Sequence, residues 1–221
     1  MQTPATAYAP RNHYVPVYLV LVPWFLVILA MGYDNTFVPA EAGQPPVLLL
    51  LTGVISLTAF TLWYNFNAAF KSFVLNFDMR LLILLHSWRT LGVSFLLFYS
   101  VGELPAVFAL PAGIGDAIAA VWAVFLAYSM FTNPNGVSRK SIAAWNRFGI
   151  FDFIIAVSAG VLARDGGIFH SAGLANSDAM STFPFVIIPA FLVQVFMLSH
   201  IMIYLQLRNN WANSVRVNIK P

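Results

Sequence analysis

The chain has 221 residues, of which 60% are hydrophobic and 9% charged, with a net charge of +3 and no cysteine. A soluble domain carries roughly 25% charged residues; so few charges cannot clothe a water-exposed surface, and most of the outer surface must face lipid. The length fits one bundle with no second domain, basic residues in short loops are no nucleic-acid signature, and the missing cysteines exclude thiolate nucleophiles, disulfide exchange and Cys-bound metals.

Residues 1–15, polar and proline-bearing, predict a short tail. The first apolar run, 16–33, has no convincing cleavage site and is long enough to span, so it is expected to be a retained anchor, kinked at Pro23. A polar loop with Asp34, Pro39, Glu41 and Gly43 leads to a second run, 46–66, which opens on a Pro pair suited to a helix start. The connector that follows carries Asn65, Lys71, Asp78 and Arg80. Its Phe70, Phe73, Leu75 and Phe77 predict an interfacial segment. The third run, 81–101, holds His86 and Arg89.

The stretch 103–115, ELPAVFALPAGIG, is apolar, too short to span, and interrupted by Pro105 and Pro111. It predicts a short re-entrant or interfacial segment, which protein or water must cover. Asp116 then stands as an N-cap for a fourth run, 117–131. A TNPNG turn and a basic SRK lead to the fifth run, 142–163. A polar loop with Arg164, Asp165, His170, Asn176 and Asp178 precedes the sixth, 183–207. The fold class is therefore all-α: one polytopic transmembrane helical domain over 16–207, about six spans plus the 103–115 segment, with a basic tail from 208 to 221. No internal repeat is visible.

With a cytoplasmic N-terminus, Arg11, Lys71, Arg80, Arg139, Lys140, Arg147, Arg208, Arg216 and Lys220 share one side and Arg164 the other. That bias follows the positive-inside rule. It predicts a multi-pass inner (cytoplasmic) membrane protein with both termini in the cytoplasm. Tyr33, Trp63, Trp145 and Trp211 fall near span ends, as an aromatic belt would.

Four ionisable residues lie inside the runs: His86, Arg89, Asp152 and His200. At about 1.5 Å per residue from the basic side, Arg89 and Asp152 are each about 13 Å deep, His200 about 12 Å and His86 about 9 Å. An ion at the bilayer centre costs at least ~2.5–3.5 kcal/mol on insertion scales, so Arg89 is expected to pair with Asp152. Gly149, Ala156 and Ala159 near the Asp152 face would let another helix approach. The pair is either a clamp on helix register or the lining of a polar cavity. The histidines either hydrogen-bond between helices, relay protons, or ligate one haem iron axially from facing helices. Gly113, Gly115 and Asp116 would shape a tight backbone turn with free amides. His13 and His170 belong to polar segments, and Glu103 is expected to be exposed.

No lysine lies within a run, which argues against a retinal Schiff base. GxSxG, HExxH and GxxxxGK[ST] are all missing, so no catalytic residue is assigned. Two intramembrane histidines cannot hold two bis-His haems.

From His86 to Leu207 the chain resembles a family of small bacterial multi-span integral membrane proteins of unassigned function. The residues that carry the likeness are Arg89 and Gly92, LPAVFALPAGIGD (104–116), WNRFGIFD (145–152) and PAFLVQVFMLSH (189–200), with PAGIGD the most specific piece. The resemblance implies a helical bundle and points to Arg89, Asp116, Asn146, Asp152 and His200.

The first functional reading is a buried polar site between spans three, five and six, formed by Arg89, Asp152, His200, His86, Asp116 and Asn146, that binds or translocates a small solute or protons without a cofactor. The alternatives are a redox protein holding one haem b through His86 and His200, and a structural or accessory subunit of a homo-oligomer or larger membrane complex.

Overall fold

The computed structural model describes residues 15–41, 43–133, 136–171 and 173–216, with side chains to Asn209. The expectations for the N-terminal tail, Arg11, His13, Trp211, the side chain of Arg216 and Lys220 lie outside these residues, as does the centre of the TNPNG turn.

Every regular element among the described residues is helical. In chain order these are α1 (Val15–Tyr33), α2 (Val47–Phe66), α3 (Ala68–Asn76), α4 (Met79–Leu85), α5 (Val93–Ser100), α6 (Ala106–Thr132), α7 (Arg139–Leu162) and α8 (Val193–Arg216). Six helical stretches are long and apolar enough to cross a membrane: α1, α2, Met79–Ser100, α6, α7 and Ile188–Asn209. Large apolar side chains such as Leu19, Leu97, Phe125 and Phe151 stand exposed on their outer faces, where a bilayer would cover them.

Starts and stops follow local chemistry. The Asn67 side chain accepts from the Phe70 amide at 2.8 Å and caps α3. Asp78 does the same for α4 through the Arg80 amide, and Ser138 for α7 through the Ser141 amide. The aromatic connector is thus a short helix, and Gln206 fastens it to α8 by donating to the carbonyls of Val74 and Phe77 at 2.8 and 3.0 Å.

The third span changes pitch in its middle. His86–Gly92 is a 3-10 stretch between α4 and α5. Three residues per turn put every third side chain in line, and the three buried residues of the stretch are His86, Arg89 and Gly92. The sixth span begins with a single π-turn, Ile188–Leu192, where Gln194 Nε2 donates to the Pro189 carbonyl at 3.0 Å.

The segment 103–115 is not re-entrant. Residues 106–115 are the first turns of α6, which continues through Pro111 to Thr132. Proline removes one intrahelical donor, but in a transmembrane helix packed neighbours absorb the loss. Here α6 buries a face of small residues, among them Ala109, Ala112, Gly113, Ala119, Ala120 and Ala123, and packs against α4, the 3-10 stretch, α5 and α7. Small side chains let helix backbones approach closely. Asp116 is consequently mid-helix and caps nothing; Pro105 precedes the first turn. Glu103 is exposed, as expected.

Two apolar clusters bracket the middle of the bundle. Near the Arg139 end of the helices, Met79, Ile83, Ala123, Ile142, Trp145 and Ile203 pack together. Near the Arg164 end the cluster is Phe95, Leu104, Phe108, Ala112, Ala159 and Met180. A third, including Ile28, Leu49 and Val186, attaches α1 and α2 to the sixth span. Trp145 is fully buried, which corrects its assignment to an interfacial belt: its indole Nε1 donates to the Ala119 carbonyl at 3.0 Å.

Candidate functional site

Counted from the Arg164 end at about 1.5 Å per residue, Arg89, Asp116, Asp152 and His200 all lie about 15–18 Å deep. They come from four different spans and meet. Arg89, 1% exposed, donates through Nε to Asp116 Oδ1 at 2.7 Å and through one Nη to Asp152 Oδ2. Its other Nη faces His200 Nε2 at 3.5 Å, and its guanidinium carbon lies 3.9 Å from the centre of the Phe153 ring. A planar five-donor fork suits such a site, because it serves two carboxylates and an aromatic face at once.

Backbone proximity makes the contact feasible. A Cβ on Gly92 would collide with the Asp116 carboxylate, one on Gly115 with Asp152 Oδ1, and one on Gly149 with the His200 ring. Each glycine stands where a charged or imidazole group from another helix takes the space a side chain would fill.

Behind Arg89 the polar layer continues. His200 Nδ1 lies 2.8 Å from Asn146 Oδ1; the amide oxygen accepts, so the ring proton is on Nδ1 and Nε2 turns a lone pair to Arg89. His86 Nε2 is 2.7 Å from Ser199 Oγ, whose own proton goes to the Phe196 carbonyl at 2.8 Å. His86 therefore donates through Nε2, and its buried Nδ1 has no partner. The two imidazole centroids are 4.0 Å apart, with Trp145 edge-on to His86 at 4.9 Å.

On the other side of Arg89 lies a cavity of about 420 Å³ between α2, α5, α6, α7 and the sixth span. Asp116 forms part of its wall; Gln194 is the polar lining residue of the sixth span and Ser158 that of α7, and most of the remaining lining from α2, α6 and α7 is apolar. At the outer end sits Arg164, bonded to Ser181 Oγ at 2.7 Å and paired with Asp178 at 2.9 Å. Burial pulls its guanidinium below its ordinary value, and Asp178 opposes that.

All six sequence-derived site residues thus fall in one connected layer. Span four joins spans three, five and six through Asp116, which is a second carboxylate on Arg89 and part of the cavity wall. His170 pairs with Asp165 at 3.2 Å, away from this layer. Phe153, Ser199, Trp145 and Gln194 were not anticipated. Gln194 and Ser199 carried a readable signal, as polar groups inside an apolar run; Phe153 and Trp145 carried none apart from neighbouring Asp152 and Asn146.

The layer does not fit a haem ligated by both histidines. A porphyrin held between two axial imidazoles separates them by the metal and its own plane. Here the rings nearly touch; His86 Nε2 is directed at Ser199 and the two His200 nitrogens at Asn146 and Arg89, while His86 Nδ1 is without a partner. Among the described residues no group of three or more His, Asp or Glu is placed to hold a metal ion.

No curated protein and no solved structure matches the chain. The model of a family described as a domain of unknown function (DUF8737) matches residues 45–208, from just before α2 to the end of the sixth span, and the chain belongs to that family.

Proposed function

We propose that this membrane protein binds or translocates protons and a small solute at the Arg89 layer, in a bacterial inner membrane. The observation that carries the reading is one buried guanidinium serving two carboxylates, of which Asp116 also lines a cavity. The charges do not cancel: Arg89 contributes one positive charge, Asp116 and Asp152 two negative, and a His200 that offers a lone pair to Arg89 is neutral. A net charge at this depth costs at least ~2.5–3.5 kcal/mol. One proton shared by the two carboxylates removes that cost, and so does one bound monocation. A register clamp alone needs only one carboxylate and no cavity beside it.

The described cations Lys71, Arg80, Arg139, Lys140, Arg147 and Arg208 favour a cytoplasmic location for the Arg139 end, with Arg164 on the opposite side. Solute would then reach the layer from the bilayer or the far side.

Infrared difference spectra between acid and alkaline buffer, taken on protein in lipid nanodiscs, test the reading. A protonated-carboxyl band is expected that Asp116→Asn or Asp152→Asn removes or shifts. A spectrum without a titrating buried carboxyl in the parent protein overturns it.

A further inference from the structure

Resting on that reading, we propose that the cavity takes a single-chain apolar monocation, an alkylammonium head seated on Asp116, which enters from the bilayer between α2 and α7. Three observations converge. The head end presents excess negative charge: Asp116 uses one oxygen for Arg89 Nε and shares that single guanidinium with Asp152. The body of the cavity is walled by aliphatic side chains of α2 and α7 such as Leu50, Val54, Ile154 and Val157, and its size of about 420 Å³ falls in the range of small-molecule pockets, about 300–1,000 Å³. The third observation is the opening. Val54 and Val157 line the cavity yet are 58% and 39% exposed, so the gap between their helices faces the lipid.

An anionic head fits less well. At the deep end it would meet the Asp116 carboxylate, and at the outer end both Nη groups of Arg164 are engaged, by Ser181 and Asp178, which leaves only its Nε unpartnered. The ionisable groups around Asp116 are Arg89 of the third span and Asp152 of α7, with His200 of α8 and then His86 behind Arg89. Binding is an exchange with balanced charge. The ammonium enters, the O–H bond of the carboxyl pair breaks, the proton leaves to water, and an ammonium–carboxylate pair forms. No electron is transferred.

Calorimetry of n-decylamine binding to the protein in nanodiscs, with protein-free discs subtracted, is run in two buffers of different ionisation enthalpy. The expected result is saturable binding of one amine per chain with release of about one proton per amine. Asp116→Asn weakens binding at least about tenfold. Val157→Trp, which fills the opening without touching a carboxylate, weakens it similarly and keeps the infrared carboxyl band. Decanoate, with a matched chain, shows no saturable binding. The proposal is overturned if decanoate saturates and decylamine does not, if both variants bind like the parent, or if decylamine only partitions as into empty discs. In the last case a retained carboxyl band leaves the protonation reading standing, whereas a missing band removes that reading itself.

Discussion

Arg89 is solvated by protein in place of water. Two carboxylates, an imidazole lone pair and the face of Phe153 surround a side chain with no exposed surface. Redundancy in the counter-charge has a measurable consequence. Asp116→Asn leaves Arg89 and Asp152 as a neutral pair, and Asp152→Asn leaves Arg89 and Asp116, so each single change is expected to cost little, about 1 kcal/mol. The double change strands a buried cation, for which about 3–5 kcal/mol is the usual cost. Denaturation followed by tryptophan fluorescence in detergent would show this as strong non-additivity; equal, additive steps would mean that Arg89 does not depend on either acid. Matching helix depths made the Arg89–Asp152 pair legible from the sequence, because an intramembrane charge must find an opposite charge at its own level. Hydropathy read Asp116 as a helix cap, since its depth depends on where α6 begins; the resemblance over 104–116 is what pointed to it as a site residue. Gly149 was legible as a place of close helix approach, but nothing in a single sequence says that Gly92 and Gly115 yield their space to carboxylates, or Gly149 its space to an imidazole, on other helices.

Among the elements, α6 and the third span carry the lessons. Hydropathy marked about six helical spans, and six long apolar helices are present among the described residues. It misplaced the start of α6 because Pro111 was read as a breaker, a rule that holds best where water competes for the freed carbonyl. In this bundle the face of α6 that packs is made of alanine and glycine, and close helix contact does what an unbroken hydrogen-bond ladder would otherwise do. Pro111→Ala is therefore expected to leave the thermal midpoint unchanged or slightly raised. Ala123→Leu is expected to lower it through overpacking worth about 1–3 kcal/mol, because Ala123 is fully buried against Ile142, Trp145 and Ile203. The reverse order, with the proline change the more damaging, would mean that the kink and not the small-residue face sets the position of α6. The 3-10 stretch at His86–Gly92 had no local signature. Its three-residue spacing of His86, Arg89 and Gly92 fits one helical turn equally well, and tertiary contact chooses the tighter pitch that brings all three onto one line.

Across the whole molecule the polar layer has a packed apolar cluster on one side and a cavity on the other. Towards the Arg139 end Met79, Ile83, Trp145 and Ile203 pack together. Towards the other end and the bilayer there is the cavity behind α2. The helices around it are unequal: the apolar windows of α1 and α2 are 11% and 17% buried, against 44% for α6, so α1 and α2 are the elements least held by the rest. α2 leans on α3, α8 and the π-turn, with little contact to α7, and a ligand passing between α2 and α7 would have to displace only lipid. Because the chain has no cysteine, Val54→Cys and Val157→Cys together place the only two thiols on opposite lips of that gap. Bridging them with a short bis-methanethiosulfonate reagent is expected to slow decylamine association at least about tenfold, while the unbridged double variant associates like the parent. Reduction of the bridge should restore the rate, which separates closure of the gap from damage to the fold. Unchanged association after complete bridging would place the route to Asp116 at the outer end, past Arg164 and Asp178, and would make that ion pair, rather than the flank of α2, the element that a solute must open.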